Sequence, residues 1–175
     1  MLKTIAIVLL VLIAALLVYA ATRPDSFRVQ RHIVIQASPE KIFAFIDDFH
    51  RWGEWSPYEK LDPAMQRSFG GAPKGVGATY QWTSEGKAGA GRMEIKEATL
   101  SSKLRVQLDF TKPFNASNTA EFTLQSQGAA TQLTWAMYGP SPFITKLVGV
   151  FMNMDTLIGK DFEAGLANLK TAAEK

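Results

Sequence analysis

The first hydrophobic run of the chain extends from Ile5 to Ala21 without a single charged residue, and only Lys3 precedes it. At about 1.5 Å per residue a helix of this length covers most of a hydrocarbon core about 30 Å thick. Tyr19 lies near the end of the run, where amphipathic rings suit a membrane interface. The pattern therefore predicts one membrane-spanning helix at the start of the chain.

A cleaved signal peptide is the alternative interpretation of this run, with Val18-Tyr19-Ala20 as the cleavage site. The run is slightly longer than an ordinary signal-peptide core, which favours an uncleaved anchor. On either interpretation residues 1–26 are an anchor or signal peptide with a linker, and residues 27–175 are a single domain. Basic residues follow the run, but long domains can cross regardless of flanking charge, so the membrane side stays open.

After the linker, the hydrophobic positions switch from a period near two to a helical period and back. A first strand leads into a helix that begins at Ser38-Pro39-Glu40, a favourable N-terminal sequence. Six further strands separated by turn residues follow, and two helices end the chain. The predicted strands are 27–36, 66–69, 78–83, 89–98, 103–112, 118–126 and 131–138, and the last helices are 143–151 and 155–173.

Alternation along these strands gives the predicted sheet one apolar face and one polar face. Glu94, Asp109 and Glu121 fall on the polar face near several cations, so we expect cross-strand ion pairs rather than paired catalytic carboxylates. His32 falls on the same face and is expected to be solvated. The apolar face needs a cover, and only the long last helix is large enough. An α+β fold follows, with a curved seven-stranded antiparallel sheet around a long C-terminal helix.

The composition excludes several classes of function but does not point to a particular one. The chain is 47% hydrophobic and 20% charged, which is typical of a folded protein. A net charge of +3 without any basic run gives no electrostatic basis for nucleic-acid binding. The absence of cysteine excludes disulfides, thiolate metal sites and cysteine nucleophiles. No metal-ligand spacing or nucleophile elbow is present, so we expect no metal, no cofactor and no catalytic triad.

The order of predicted elements resembles the helix-grip fold of the SRPBCC or START-like superfamily. Three segments are similar to members of that superfamily: residues 34–43 (VIQASPEKIF), 52–57 (WGEWSP) and 159–166 (GKDFEAGL). The last of these resembles the closing helix of membrane-anchored bacterial members, which implies a location in a bacterial inner membrane. The resemblance covers residues 27–174 and implies a cavity for hydrophobic ligands between sheet and helix. It implies no single chemistry, because the fold serves binders, transporters and some enzymes.

Large apolar side chains predicted on the covered face are the candidate ligand-binding residues. They are Tyr80, Trp82, Met93, Phe110, Phe122, Trp135, Met137, Phe151 and Phe162, together with Trp52 and Trp55 in the loop after the first helix. Such residues line many ligand pockets. The same pattern also marks a filled core, and the tryptophan loop is a hydrophobic plug, a lid or a membrane contact in decreasing order of preference.

Three functions remain open on this sequence. The first is binding or transfer of a hydrophobic small molecule or lipid by a membrane-anchored domain. The second is a polyketide cyclase or dehydratase type of enzyme, in which Tyr80, Tyr138 or Asp161 would move protons; Asp155 is a further carboxylate on the same helix. The third is a protein-interaction or chaperone-like module. The scarcity of ionisable residues on the apolar face favours the first.

Overall fold

The computed structural model describes residues 1–151 and 153–175, and it shows an α+β helix-grip fold. The helices are α1 (Leu2–Ala21), α2 (Pro39–Ile46), α3 (Phe143–Phe151) and α4 (Met154–Ala173), with two short 3-10 turns at Phe49–Glu54 and Pro57–Lys60. The strands are β1 (Ser26–Ile35), β2 (Gln66–Gly71), β3 (Ala78–Thr83), β4 (Ala90–Thr99), β5 (Lys103–Lys112), β6 (Ala116–Gln127) and β7 (Ala130–Pro140). Each predicted element is present in the predicted order.

The seven strands form one antiparallel sheet in the order β1-β7-β6-β5-β4-β3-β2. Strands β2 to β7 follow one another as a meander, and β1 returns to pair with β7 from Ser26 opposite Pro140 to Ile35 opposite Thr131. This register places the start of β1 and the ends of β5 and β7 at one end of the sheet. We name it the α1 end, because α1 leads directly into β1 there.

Helix α4 covers the apolar face of the sheet, but it lies mainly along β1. Phe162, Leu166 and Leu169 of α4 are at most 1% exposed and pack in the core. The guanidinium of Arg31 in β1 forms an ion pair with the carboxylate of Asp155 at the start of the helix, with a nitrogen–oxygen distance of 3.0 Å. Because α4 follows the β1 side, the concave face of the strands farther along the sheet lies away from the helix.

The tryptophan segment after α2 is a hydrophobic plug, as the preferred interpretation predicted. Trp52 is 5% exposed and Trp55 is fully buried. The indole N–H of Trp52 donates to the carbonyl of Ile46, and that of Trp55 donates to the carbonyl of Phe45, both at 3.1 Å. These bonds satisfy the two buried indole donors with carbonyls at the end of α2, so the segment packs as part of the core.

The outer face of the sheet carries the predicted ion pairs in a modified pattern. Glu121 is 3.8 Å from both Lys103 and Arg28, and Glu97 pairs with Lys103 and Arg105. Two expectations are corrected. Glu94 pairs with Arg92 and Lys96 of its own strand, because residues two apart project from the same face. Asp109 accepts from Ser117 rather than from a cation. His32 is exposed, as expected.

Candidate ligand-binding cavity

A cavity of about 750 Å³ lies between the concave face of the sheet, the α2–β2 segment, α3 and α4. Residues from most strands and helices of the domain line it. The lining residues include Phe27, Trp52, Tyr58, Glu59, Met65, Tyr80, Trp82, Met93, Leu108, Phe110, Phe114, Ala120, Trp135, Met137, Ile144, Val148, Asp161 and Phe162. The volume lies beside α4, because this helix packs mainly along β1 rather than across the strands farther along the sheet.

Most of the predicted binding residues lie on this wall. The structure brings together eight of the eleven: Trp52, Tyr80, Trp82, Met93, Phe110, Trp135, Met137 and Phe162. Six of them lie on β3, β4, β5 and β7, where strand phase places them on the concave face. The other two are Phe162 of α4 and Trp52 of the tryptophan plug. The apolar face therefore forms a packed core in one part and a cavity wall in another, and the same side chains belong to both.

Three predicted residues do not line the cavity. Trp55 and Phe122 are fully buried and pack behind the wall, where their rings meet edge to face with centroids 6.0 Å apart. Phe151 was expected on the covered face but is 74% exposed at the end of α3. The helical period placed it correctly on a helix, but it could not show that this side of α3 faces outward.

Stacked aromatic rings form the floor of the cavity. The rings of Trp135 and Phe162 have centroids 4.0 Å apart and are almost parallel, and the ring of Phe122 also stacks on Trp135, with centroids 5.2 Å apart. Gly165 of α4 permits this close approach, because a Cβ there would lie 2.8 Å from the Trp135 ring. Such contacts add specific geometry to apolar burial. The floor is therefore preformed rather than created by a ligand.

One polar group in the cavity is built from Glu59, Tyr80 and Arg67. The Tyr80 hydroxyl donates to one Glu59 carboxylate oxygen and the Arg67 guanidinium donates to the other, each at 2.7 Å. Burial raises the pKa of the Tyr80 phenol, and the adjacent carboxylate raises it further. Tyr80 consequently stays protonated at neutral pH and acts as a hydrogen-bond donor rather than a base.

A second polar group combines Tyr58 with Asp161 of α4, and both residues line the cavity. Burial raises the pKa of the Tyr58 phenol, and the charge of the Asp161 carboxylate raises it as well. Among the described residues, the indole nitrogen of Trp135 is one of three buried side-chain polar atoms that lack a hydrogen-bond partner. The wall is predominantly apolar, and it also carries polar residues toward the α1 end, among them Lys112, Asn115 and Ser117.

Two residues considered for proton transfer lie elsewhere. Tyr138 is on the outer face, where its hydroxyl donates to Glu121 at 3.2 Å and its ring lies under Arg28. Asp155 lies outside the cavity and binds Arg31, which lowers the pKa of its carboxyl. Strand phase already separates Tyr138 from Met137, so this position was an avoidable error. Within residues 1–151 and 153–175 no three metal-ligating side chains cluster.

Sequence reasoning missed two charged residues that line the cavity, Glu59 and Lys112, and it missed Arg67, which pairs with Glu59. Glu59 follows Tyr58 in a segment without periodic signal, and Arg67 lies on an exposed edge strand. It also missed the rim formed by Phe114 and Ile144. Their only sequence signal was apolar character next to a proline turn, which many surface loops share.

The class of protein follows from this arrangement: a curved antiparallel sheet gripping a C-terminal helix around an apolar cavity is a helix-grip domain. The sequence model of the family described as polyketide cyclase / dehydrase and lipid transport matches residues 26–174. The chain therefore belongs to this family, in agreement with the resemblance noted above. A search of the curated proteins found no significant match.

Solved structures share the fold at low sequence identity. A protein from Thermobifida fusca is 16% identical with a TM-score of 0.63, covering 83% of this chain and 92% of its own. DynU16, from the dynemicin biosynthetic locus, is 16% identical with a TM-score of 0.61, covering 87% of this chain and 48% of its own. The Aha1 dimer of Colwellia psychrerythraea is 17% identical with a TM-score of 0.54, covering 85% and 96%. At these identities the similarity establishes the fold alone.

Proposed function

We propose that this protein binds or transfers a hydrophobic small molecule or lipid in the cavity between sheet and α4. The single observation that carries the proposal is the cavity itself. Its volume of about 750 Å³ is large and its wall is predominantly apolar. Ligand pockets of proteins typically fall between about 300 and 1,000 Å³ and combine an apolar wall with a few polar groups.

The wall supplies both affinity and orientation in this proposal. Burial of apolar ligand surface contributes about 25 cal/mol per Å². Tyr80 with Glu59, and Tyr58 with Asp161, are two polar pairs in the wall that would receive the polar end of an amphipathic ligand. A ligand with a hydroxyl or amide group and a long or polycyclic apolar body fits this distribution of groups.

Membrane anchoring by α1 is the second part of the proposal. The helix has 20 residues with a mean hydropathy of 2.9 in its most apolar window, and it is almost entirely exposed, which is long and apolar enough to span a bilayer. A signal sequence passes the same criteria, so the proposal rests on the length of the run beyond an ordinary signal-peptide core. An anchored domain would sample apolar compounds where they concentrate.

The test begins with residues 26–175, which retain every residue of the hydrophobic core. This fragment is purified without detergent and analysed by native mass spectrometry for a bound small molecule. In parallel, N-phenyl-1-naphthylamine is added while tryptophan fluorescence is recorded. Three of the four tryptophans line the cavity, so bound probe should quench them in a saturable manner. No carried molecule and no saturable quenching would refute the proposal.

An enzyme of the cyclase or dehydratase type is the second candidate. The observation in its favour is that Tyr58 and Asp161 lie beside each other on the cavity wall, where the carboxylate would take a proton from a bound substrate and the phenol would donate a hydrogen bond to it. Under this hypothesis Asp161→Asn abolishes turnover of a bound poly-β-ketone while Trp quenching by the probe is retained. A carrier, by contrast, returns every bound compound chemically unchanged. The chaperone-like alternative has no comparable observation in its favour.

A further inference from the structure

The mouth of the cavity and the apolar helix α1 lie at the same end of the sheet. Phe27 at the start of β1, the Pro113-Phe114-Asn115 turn after β5 and Pro140 at the end of β7 all line the cavity. The strand registers place these three segments side by side at the α1 end. Helix α3 follows β7 there and completes the rim with Ile144 and Val148.

Helix α3 has the opposite distribution of polar and apolar residues from an ordinary surface helix, because its apolar residues are exposed and its lysine is buried. Its exposed residues include Ile144, Val148 and Phe151, which are 62%, 43% and 74% exposed and lie on one stripe because they are four and three residues apart. Lys146, about 200° away around the helix, is buried and bonds to the Asp25 carboxylate. An exposed apolar stripe on a helix that buries its charge marks a surface that is covered by a partner or a membrane.

The position of α3 along α1 indicates what covers this stripe. Helix α1 packs against α3, and the least exposed residues of α1 are Leu16 and Ala20, one turn apart near its C-terminal end. A helix of 20 residues is about 30 Å long, which equals the thickness of a hydrocarbon core. Helix α3 therefore lies at the depth where hydrocarbon gives way to headgroups.

We propose that α3 and the Phe114 turn insert into the bilayer interface beside α1, so that the cavity opens onto lipid rather than onto water. The surface consists of Phe114, Ile144, Val148 and Phe151, and its occupant is the membrane that α1 spans. The opening of the cavity onto lipid rests on the proposed function. Amphipathic helices bury their apolar face about 5–10 Å into this boundary, which matches one exposed stripe on α3. Ligand would pass between bilayer and cavity without crossing water.

The absence of cysteine from the chain makes the test direct, since single cysteines can be labelled without background. Phe114→Cys and Phe151→Cys carry an NBD fluorophore in the full chain, reconstituted in phosphatidylcholine–phosphatidylglycerol vesicles containing nitroxide-labelled lipid. Leu100→Cys is the matched control, because Leu100 is 78% exposed against 77% for Phe114. It lies at the other end of β5, about 30 Å away. Val8→Cys in α1 reports a label within hydrocarbon.

We expect blue-shifted NBD emission and several-fold stronger nitroxide quenching at positions 114 and 151 than at 100, approaching the quenching at position 8. If the labels at positions 114 and 151 emit at the same wavelength as the water-exposed label at position 100, the proposal is overturned. A label at position 8 that is not quenched would overturn it as well. Labels shielded from water but not quenched by lipid nitroxide, with energy transfer between protomers, would show that a second copy covers the surface instead.

A transfer measurement separates this inference from the proposed function. Vesicles loaded with cis-parinaric acid are the donor, and energy transfer from tryptophan reports its arrival in the cavity. Phe151→Asp, which does not alter the wall, should slow uptake from the bilayer about tenfold while leaving uptake of parinaric acid from solution unchanged. Equal rates from both sources would contradict the membrane-facing mouth. Lipid quenching without any uptake would refute the carrier function and leave the inserted surface standing.

Discussion

Ala120→Leu is the change that most directly measures how completely a ligand fills the cavity. Ala120 is 5% exposed, lines the cavity and lies between Val106 and Met137 in the sheet register. Leucine adds three carbon atoms to the wall at a point where about 750 Å³ of space is open. A ligand that fills the space must withdraw about three methylene-sized groups, worth about 0.8 kcal/mol each. The expected loss is about 2.4 kcal/mol, or roughly fifty-fold in Kd.

The assay is displacement of N-phenyl-1-naphthylamine by the co-purified compound, followed through tryptophan fluorescence of residues 26–175. Gln125→Leu is the matched control, because it places the same side chain on the same strand but on the exposed outer face. Urea unfolding of both variants checks that each remains folded. If Kd of the folded Ala120→Leu variant stays within twofold of the parent, the ligand does not occupy this space and the argument from volume is wrong.

Two further changes test the attachment of α4. Arg31→Gln should lower the urea midpoint at neutral pH, because Arg31 lowers the folded-state pKa of Asp155 below 3.8. That stabilisation exists above the unfolded-state pKa and disappears as pH falls through the lower folded-state value, so the difference between the two midpoints should shrink as the pH is lowered through the acidic range. Gly165→Ala should destabilise by up to about 2 kcal/mol, since overpacking against Trp135 at 2.8 Å costs about 1–3 kcal/mol and helix propensity returns about 1. Gly149→Ala, with no atom within 4 Å, should not destabilise.

Opposite results would be informative for both changes. An equal midpoint difference at neutral and at acidic pH would show that Arg31 acts through packing of its stem rather than through charge. A stabilised Gly165→Ala variant would show that α4 can move away from the sheet. The floor of the cavity would then be adaptable, and its aromatic stack would not restrict ligand shape.

The elements of the fold were predictable because their signals are local. Alternation in residues 103–112 gives β5 with its observed bounds, and the Ser38-Pro39-Glu40 sequence gives the observed start of α2. The faces of the strands follow from the same period of two, which accounts for six of the eight predicted residues that line the cavity. Exposed Phe151 and outward-facing Tyr138 show the limit of this reasoning, since the first needs the orientation of a helix and the second was placed against its own strand phase.

The sequence by itself determined the apolar helix, the order of elements and the apolar face of the sheet, because each depends on spacing between neighbours along the chain. Only the tertiary structure decided that α4 lies along β1 and leaves a cavity beside it, and that Glu59 meets Tyr80 across 21 residues. Only the tertiary structure also placed α1, α3 and the Phe114 turn at one end of the sheet. These features depend on strand register and helix docking, which sum many weak contacts between residues distant in the chain.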